Sequence, residues 1–160
     1  MTKDALAGVE WETIGGIGVD SAACAFGDAD ALGEQFRLTP GDDPSDFEPY
    51  LVVCGTGADI DVPVEVVRAE DGQVVAARMN FTDDVDELDG TWAVAGRLDL
   101  RSGRCLAGDP YYTPHEHYRL VFDAAPGVYL AEFFDFTDED GEADRLGLRV
   151  RLSEEPRHSS

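Results

Sequence analysis

The sequence predicts an all-β fold, either a sandwich or a partly closed barrel of about ten to twelve short strands with an internal pseudo-twofold repeat. Three observations predict it. The segment WETIGGIGVDSAACAFGD (11–28) returns as WAVAGRLDLRSGRCLAGD (92–109). Apolar residues alternate with polar or small ones in both copies, which is the period of a half-buried strand. No segment longer than about ten residues keeps a helical period.

The repeat is the strongest architectural signal in the chain. Its copies match without a gap at a spacing of 81 residues, and the identical pairs are Trp11/Trp92, Gly15/Gly96, Ser21/Ser102, Cys24/Cys105, Gly27/Gly108 and Asp28/Asp109. Random pairing would give about one such match. Two further blocks recur in the same order, because EQFRL (34–38) matches EHYRL (116–120) and residues 64–81 match residues 131–152. Two copies are too few for a solenoid, so the duplication favours a pseudo-symmetric domain.

A single domain over residues 1–160 is the organisation that this duplication predicts. It would consist of two degenerate β repeats, at about 11–81 and 92–152, joined by the acidic linker 82–90. The polar tail 153–160 is expected to be flexible, as chain ends without apolar residues usually are.

Alternating apolar residues indicate where the strands lie in each copy. In chain order these positions are Ile17 and Val19, then Val62, Val64 and Val66, then Leu98 and Leu100, and finally Leu146, Leu148, Val150 and Leu152. YLVVC (50–54) indicates a further strand, which the sequence places only in the first copy because the segment around it is longer than its match in the second.

Turn-forming residues predict how these strands are joined. RSGR (101–104) indicates a hairpin between the strands on either side of it. The Asp-Gly pairs at 71–72 and 140–141 predict tight hairpins, since a type I′ turn needs residues that adopt positive φ. Only DADALGEQF (28–36) and DDVDEL (83–88) favour helix, and both are short.

Charge is the outstanding feature of the composition. The chain has 12 Lys and Arg against 34 Asp and Glu, a net charge of −22. Such a surface repels the phosphates of nucleic acids and anionic membranes, so neither is an expected partner. Two interpretations of the acidity remain open: a soluble, self-repelling surface, or an electrostatic match to a basic protein.

The sequence contains no segment that predicts export or insertion into a membrane. MTKDALAGVEW, at the start of the chain, has no apolar core of the length a signal peptide needs. No apolar run approaches the ~20 residues of a membrane-spanning helix. Cys24, Cys54 and Cys105 are an odd number, so reduced thiols and a cytoplasmic location are expected.

The acid-rich stretches 39–49 and 82–90 form the candidate binding surface. Complementary charge accelerates the encounter with a basic protein and is weakened by salt. We therefore expect a non-catalytic protein-binding module of the immunity or antitoxin kind, without a cofactor, existing as a monomer or homodimer. The candidate binding residues are Asp42, Asp43, Asp46, Glu48, Asp83, Asp84, Asp86 and Glu87.

Two other classes of function remain as alternatives. The first is a module for a small ligand or a carbohydrate, whose stacking surfaces would be Trp11, Trp92, Tyr111 and Tyr112. The second is a metal-assisted enzyme. It would use His115 and His117, which the sequence places on one face of a strand, although no third ligand at a suitable spacing accompanies them.

Other polar groups have structural explanations. The acidic run 138–144 lacks the glycine and the terminal glutamate of a calcium-binding EF-hand loop, so a solvated hairpin tip is expected. Cys24 and Cys105 have no histidine nearby in sequence and are expected to be buried apolar groups rather than nucleophiles. Asp28 and Asp109 could form a carboxylate pair, but an Asp after Gly usually bonds the backbone of its own turn.

Several segments resemble a bacterial family known only as a domain of unknown function. GRLDLRSGRCLAGDP (96–110), AAPGVYLAEF (124–133) and RLGLRVRLS (145–153) are similar to one half of it, with its Ser-Gly-Arg-Leu and Asp-Pro elements. IGVDSAACAFGDADA (17–31) is similar to the other half, but the order of the halves is reversed here. The resemblance covers about half of the chain. It implies a β-rich fold and supplies no catalytic residues.

Overall fold

Ten strands in two antiparallel sheets form the protein, which a computed structural model describes over residues 9–82, 85–88 and 90–153. The strands are β1 (Glu12–Val19), β2 (Ala23–Asp28), β3 (Leu51–Gly55), β4 (Ile60–Arg68), β5 (Val74–Asn80), β6 (Thr91–Leu100), β7 (Arg104–Gly108), β8 (Arg119–Asp123), β9 (Gly127–Thr137) and β10 (Ala143–Leu152). Neither sheet closes on itself, so the all-β prediction is confirmed in its sandwich form.

Helix is confined to short connections, as the sequence predicts. One α-helical turn, α1 (Ala29–Leu32), follows β2, and three 3-10 turns lie at Pro44–Phe47, Val85–Glu87 and Glu116–Tyr118. Among the described residues, no helix has the length and apolar composition needed to cross a membrane.

The order of the strands shows the pseudo-twofold repeat. The large sheet has six strands in the order β1-β4-β5-β10-β9-β6, and the small sheet has four in the order β3-β2-β7-β8. If β1 to β5 are exchanged for β6 to β10, each order is reproduced in reverse. Phe26 lies opposite its repeat partner Ala107 in the small sheet, and Arg78 lies opposite its partner Arg149 in the large sheet. One axis therefore passes through both sheets at these two pairs.

The core fills the space between the two sheets with alternate residues of each strand. Val62, Val64 and Val66 of β4 are buried there, and Leu148 and Val150 are buried on β10. A strand that packs one face on a core places every second side chain inward, which is the alternation seen in the sequence.

Two aspartates link the halves of the molecule reciprocally. Asp109 of the second copy accepts hydrogen bonds from Ser21 of the first, from Oγ at 2.5 Å and from the backbone N–H at 2.9 Å. Asp28 of the first copy accepts the same pair of bonds from Ser102 of the second, at 2.7 and 3.1 Å. Both carboxylates are 1% exposed or less. Each carboxylate also accepts a backbone N–H of its own turn, such as Tyr111 N on Asp109.

The turn at 101–104 does not make the predicted hairpin. It carries the chain from β6 in the large sheet to β7 in the small sheet. Ser102 is held by Asp28, and Gly103 adopts a φ of 75°, so the chain turns across the sandwich instead of back along the same sheet.

The strand at β3 is not an addition to the first copy, as the sequence indicated. β3 borders β2 just as β8 borders β7, so the two strands are counterparts at opposite edges of the small sheet. The residues that directly precede β3 and β8 confirm this equivalence. Tyr50 O accepts the N–H of Asp28 and Tyr118 O accepts the N–H of Asp109, both at 2.9 Å. The matched segments 34–38 and 116–120 are therefore not structural equivalents.

Both predicted Asp-Gly hairpins are present. They join β4 to β5 and β9 to β10, with a φ of 86° at Gly72 and 82° at Gly141. The aspartates at 71 and 140 do not adopt positive φ, so neither turn is of type I′. Asp138 accepts the N–H groups of residues 140 and 142 at the second tip, which explains part of the acidic run there.

Replacing Asp109 by Ala is expected to destabilise the fold by about 2 kcal/mol, because it leaves partly buried donors of Ser21 and of the neighbouring backbone without their acceptor. Urea unfolding followed by circular dichroism measures the change. Asp123→Ala, at an exposed position at the end of β8, is the control and should change stability by less than about 0.5 kcal/mol. Equal stability of the two variants would contradict a structural role for Asp109.

Candidate functional site

The acidic loop, defined as residues 39–49, presents four of the predicted binding residues. Asp42, Asp43, Asp46 and Glu48 are all exposed. None of them forms an ion pair with a residue in the described part of the chain. Some acids elsewhere are paired with arginine, as Asp30 is with Arg104 at 2.8 Å. The loop is therefore a cluster of negative charge without a counter-ion of its own.

Local hydrogen bonds give the acidic loop a defined shape. Thr39 donates its N–H and Oγ1 to Asp42 at 2.7 and 3.0 Å, and Ser45 donates its N–H to Asp43 at 2.9 Å. The hydrogen bond from Ser45 lowers the pKa of the Asp43 carboxyl, because it stabilises the ionised form. Phe47 packs edge-on against Phe36 at 5.2 Å between ring centroids, which anchors the loop on the small sheet.

Of the four predicted binding residues in the linker, Glu87 is the one whose side chain the structure describes. Asp83 and Asp84 lie outside the described residues, and the structure places only the backbone of Asp86. Glu87 is exposed on the 3-10 turn 85–87, where Val85 is buried.

The two acidic stretches approach opposite ends of one strand, β6. The linker leads into β6 at Thr91, whereas the acidic loop meets its far end, where Asp99 N–H donates to Pro49 O at 2.7 Å. At the rise of a β-strand these ends are about 25 Å apart. The predicted binding acids with described side chains, Asp42, Asp43, Asp46 and Glu48 on the loop and Glu87 on the linker, therefore lie toward opposite ends of an edge strand.

A groove runs beside the acidic loop, between β3 and β6. We call it the edge groove. Its volume is about 510 Å³, and it is lined by residues 51–53 of β3, residues 95–97 of β6, Phe133 of β9, and Pro44, Ser45, Glu48 and Pro49 of the loop. Arg97 is exposed there and has no ion pair among the described residues. The groove thus combines apolar side chains and strand backbone with one carboxylate, Glu48, and one guanidinium, Arg97.

A second cavity of about 480 Å³ lies on the outer side of the small sheet in the second half. Leu106 and Val121 line it together with Arg104 and Arg119. The corresponding surface of the small sheet in the first half is covered by the apolar residues Phe36, Leu38 and Phe47. The shorter connection between β7 and β8 leaves this space uncovered. Asp30, Glu34 and Glu116 also line the cavity, so its charge is mixed.

The tryptophans that begin each copy cover arginines on the outer face of the large sheet. Arg78 lies 4.3 Å from the ring centroid of Trp11 and pairs with Glu65 at 3.1 Å. In the second copy, Arg149 lies 4.4 Å from the ring centroid of Trp92 and pairs with Glu132 at 2.9 Å. A cation over an aromatic face stabilises both groups. The tryptophans are half-buried and already occupied on one face.

The four predicted stacking residues do not share a described cavity. Neither tryptophan lines the edge groove or the cavity on the small sheet, and neither do Tyr111 and Tyr112. Tyr111 packs against the apolar cluster of the small sheet, while Tyr112 is 40% exposed and contacts the ring of Tyr118.

The two histidines do not share a strand face, so that prediction is wrong. His115 precedes the 3-10 turn 116–118 and His117 lies within it, because the chain turns there before β8 begins. The ring of His117 lies over Gly18 on β1, where a Cβ would come within 2.4 Å of its Nε2. Within the described ranges, no three His, Cys, Asp or Glu side chains are grouped to hold a metal ion.

A tyrosine beside these histidines has a perturbed pKa. Tyr118 donates its hydroxyl to the Asp20 carboxylate at 2.6 Å. This hydrogen bond to a nearby anion raises the pKa of Tyr118 to about 12, because ionisation would place a second negative charge beside the first. The phenol therefore remains a hydrogen-bond donor at neutral pH.

Other side chains that could be reactive have structural roles. Asp28 and Asp109 are four positions apart along the paired strands β2 and β7, which is about 13 Å, and so form no carboxylate pair. Cys24, Cys54 and Cys105 are buried free thiols, and Cys24 lies opposite Cys54. Burial raises the pKa of all three thiols, that of Cys54 to about 12.

The sequence did not identify the edge groove. Val52, Arg97 and Phe133, which line it, carry no motif. The detectable signal is a difference between the copies: Val52 occupies the position at which β8 has Leu120. That comparison needs the equivalence of β3 and β8, which the matched segments 34–38 and 116–120 obscure.

The three thiols of the folded protein are expected not to react with Ellman's reagent at pH 8, because their raised pKa and their burial suppress the thiolate. In guanidinium chloride all three should react within minutes. Absorbance at 412 nm measures both. Rapid reaction of any thiol in the folded protein would contradict this assignment.

Comparison with known proteins adds no family to this description. No family model matches the chain, and neither a curated protein nor a solved structure matches it. The resemblance of its segments to an uncharacterised bacterial family remains a prediction.

Proposed function

We propose that the protein is a non-catalytic binding module whose acidic loop docks on a basic protein, in the manner of an immunity protein or antitoxin. The observation that carries this proposal is the exposure of four acids, Asp42, Asp43, Asp46 and Glu48. They are exposed without a counter-ion on a loop that is already ordered by hydrogen bonds. A cationic enzyme would supply the missing counter-charge and have its own site covered.

Order in the free loop favours tight binding. Association costs free energy when flexible loops and side chains are immobilised, and a loop that is already shaped avoids part of that cost. Thr39 and Ser45 orient two of the four carboxylates before any partner arrives. The charge also accelerates diffusional encounter with a positive surface, and salt should weaken this effect.

The neighbourhood of the loop distinguishes it from other acidic parts of the surface. The hairpin tip between β9 and β10 carries Glu139, Asp140, Glu142 and Asp144, which are equally exposed. None of these four lines either of the two larger cavities described above. The acidic loop borders the edge groove, and interfaces combine an apolar centre with a polar rim.

The roles of the reactive side chains agree with a binding function. The buried carboxylates of Asp28 and Asp109 accept serine and backbone hydrogen bonds, and burial raises the pKa values of the thiols. These groups therefore support the fold.

A charge-matched pair of variants tests the proposal. The loop variant carries Asp42→Asn, Asp43→Asn, Asp46→Asn and Glu48→Gln, and the control carries Glu139→Gln, Asp140→Asn, Glu142→Gln and Asp144→Asn. Both lose four negative charges, and Asn at 43 can still cap the 3-10 turn. Each protein is immobilised, exposed to host lysate at low and high salt, and the captured proteins are identified by mass spectrometry.

Wild-type and control proteins are expected to capture the same basic protein at low salt, and the loop variant to lose at least about 90% of it. High salt should reduce capture by all three proteins. Equal capture by the loop variant and the control would show that general charge is responsible. The absence of any basic protein at either salt concentration would also overturn the proposal. Melting temperatures verify that both variants are folded.

A further inference from the structure

The two open sides of the sandwich, which the pseudo-twofold axis relates, differ in how they are closed. On the side of β1 and β8, Leu120 covers Gly15 so closely that a Cβ at Gly15 would lie 3.1 Å from its Cδ2. On the side of β6 and β3, the repeat partner of Gly15 is Gly96, and a Cβ there would meet nothing within 4 Å. One side is therefore filled and the other is the edge groove.

Side-chain size accounts for the difference. The counterpart of Leu120 on β3 is Val52, which is one methylene shorter and lines the edge groove. His117 covers β1 at Gly18, whereas on the other side a single backbone bond, from Asp99 N–H to Pro49 O, joins β6 to the acidic loop. The groove is open from this bond back along β6.

Strand β6 is weakly protected along this opening. It pairs with β9 on one side and has no strand on the other in the described chain. Residues 93–95 are exposed and uncharged, with Val94 59% exposed, and a bulge lies between Val94 and Gly96. Proteins usually protect an edge strand with charges, proline, a β-bulge or a covering loop, because its free N–H and C=O groups accept a further strand. On β6 the bulge and Arg97 are such devices, whereas residues 93–95 carry none of the charges or prolines.

We propose that the edge groove receives an extended basic segment of the partner protein, which adds to β6 as a seventh strand of the large sheet. This rests on the proposed function and specifies the part of the partner that is bound. Alternate side chains of such a segment would face the apolar groove at Val52 and Phe133. Basic residues at the ends of the segment would lie near the unpaired acids, of which Glu48 lines the groove.

Charge complementarity selects this occupant over a neutral or acidic strand. Four carboxylates without counter-ions lie on the loop at one end of the accessible part of β6, and Glu87 is exposed on the linker at the other end. Among the residues that the structure describes, Arg97 is the one cation that lines the groove, and it can donate to carbonyls of the added strand. A segment with several lysines or arginines would thus meet negative charge at both ends of β6.

The probe for this inference is the peptide acetyl-Lys-Val-Lys-Val-Lys-Val-amide, titrated into isotope-labelled protein while backbone amide shifts are recorded. Shifts are expected at residues 92–97 of β6 and 51–53 of β3. A version N-methylated at alternate residues cannot donate main-chain hydrogen bonds from one edge, so its binding should be weaker by about tenfold or more.

Variants that close the groove provide the second arm. Val52→Leu places on β3 the residue that fills the opposite side, and Gly96→Leu fills the same space from β6. Either change is expected to weaken peptide binding at least about fivefold without altering the acidic loop. Val67→Leu, a substitution of the same kind on β4 outside the groove, should leave the affinity unchanged.

The outcomes separate this inference from the proposed function. Absence of peptide binding, shifts on β1 and β8 instead of β6, or equal binding of the N-methylated peptide would overturn the edge groove as a strand site. The lysate experiment with the loop variant would still decide the proposed function. A third outcome combines the two experiments: Val52→Leu weakens peptide binding, but the loop variant still captures the partner. The edge groove would then be a strand site, whereas the proposed function would be wrong. The claim that the bound segment is basic would be wrong as well, because it depends on the acids of the loop.

Discussion

The exchange of hydrogen bonds between Asp28 and Ser102, and between Asp109 and Ser21, is the constraint on which the rest of the structure depends. Each copy of the repeat supplies a buried carboxylate that holds the turn of the other copy. Neither carboxylate could remain buried alone, since an ionised group away from water needs hydrogen bonds to compensate for its lost hydration. The exchange holds the first and second halves against each other, together with the pairings of β2 with β7 and of β5 with β10.

A second symmetric feature stabilises the other end of the axis. Arg78 and Arg149 face each other across β5 and β10 at 5% and 3% exposure, which would be unfavourable for two like charges. Glu65 and Glu132 neutralise them, and tryptophan rings cover their planes. The residues that are identical or matched between copies therefore maintain the scaffold, whereas the features that differ, the acidic loop and the edge groove, are those to which we assign binding.

Sequence reasoning recovered the properties that depend on local pattern. Alternation identified the strands, and Asp-Gly pairs located both hairpins. It failed where a distant contact decides the outcome: the turn at 101–104 changes sheets because Asp28 holds Ser102, a residue 74 positions away. The exposure of the acids at 42–48 was predictable from their chemistry. The edge groove was not predictable from the sequence. It arises because the side chain of Val52 is one methylene shorter than that of Leu120, and this comparison can be made only once β3 and β8 are known to be equivalent.

The axis through Phe26 and Arg78 also has an evolutionary consequence. A chain of half this length, paired with an identical chain about the same axis, would make every Asp–Ser exchange and both central strand pairings as an isologous homodimer. Such a dimer must keep its two open sides identical. Fusion of the two subunits into one polypeptide removes that requirement, so one side can be sealed by leucine and histidine while the other is left free to evolve toward a partner.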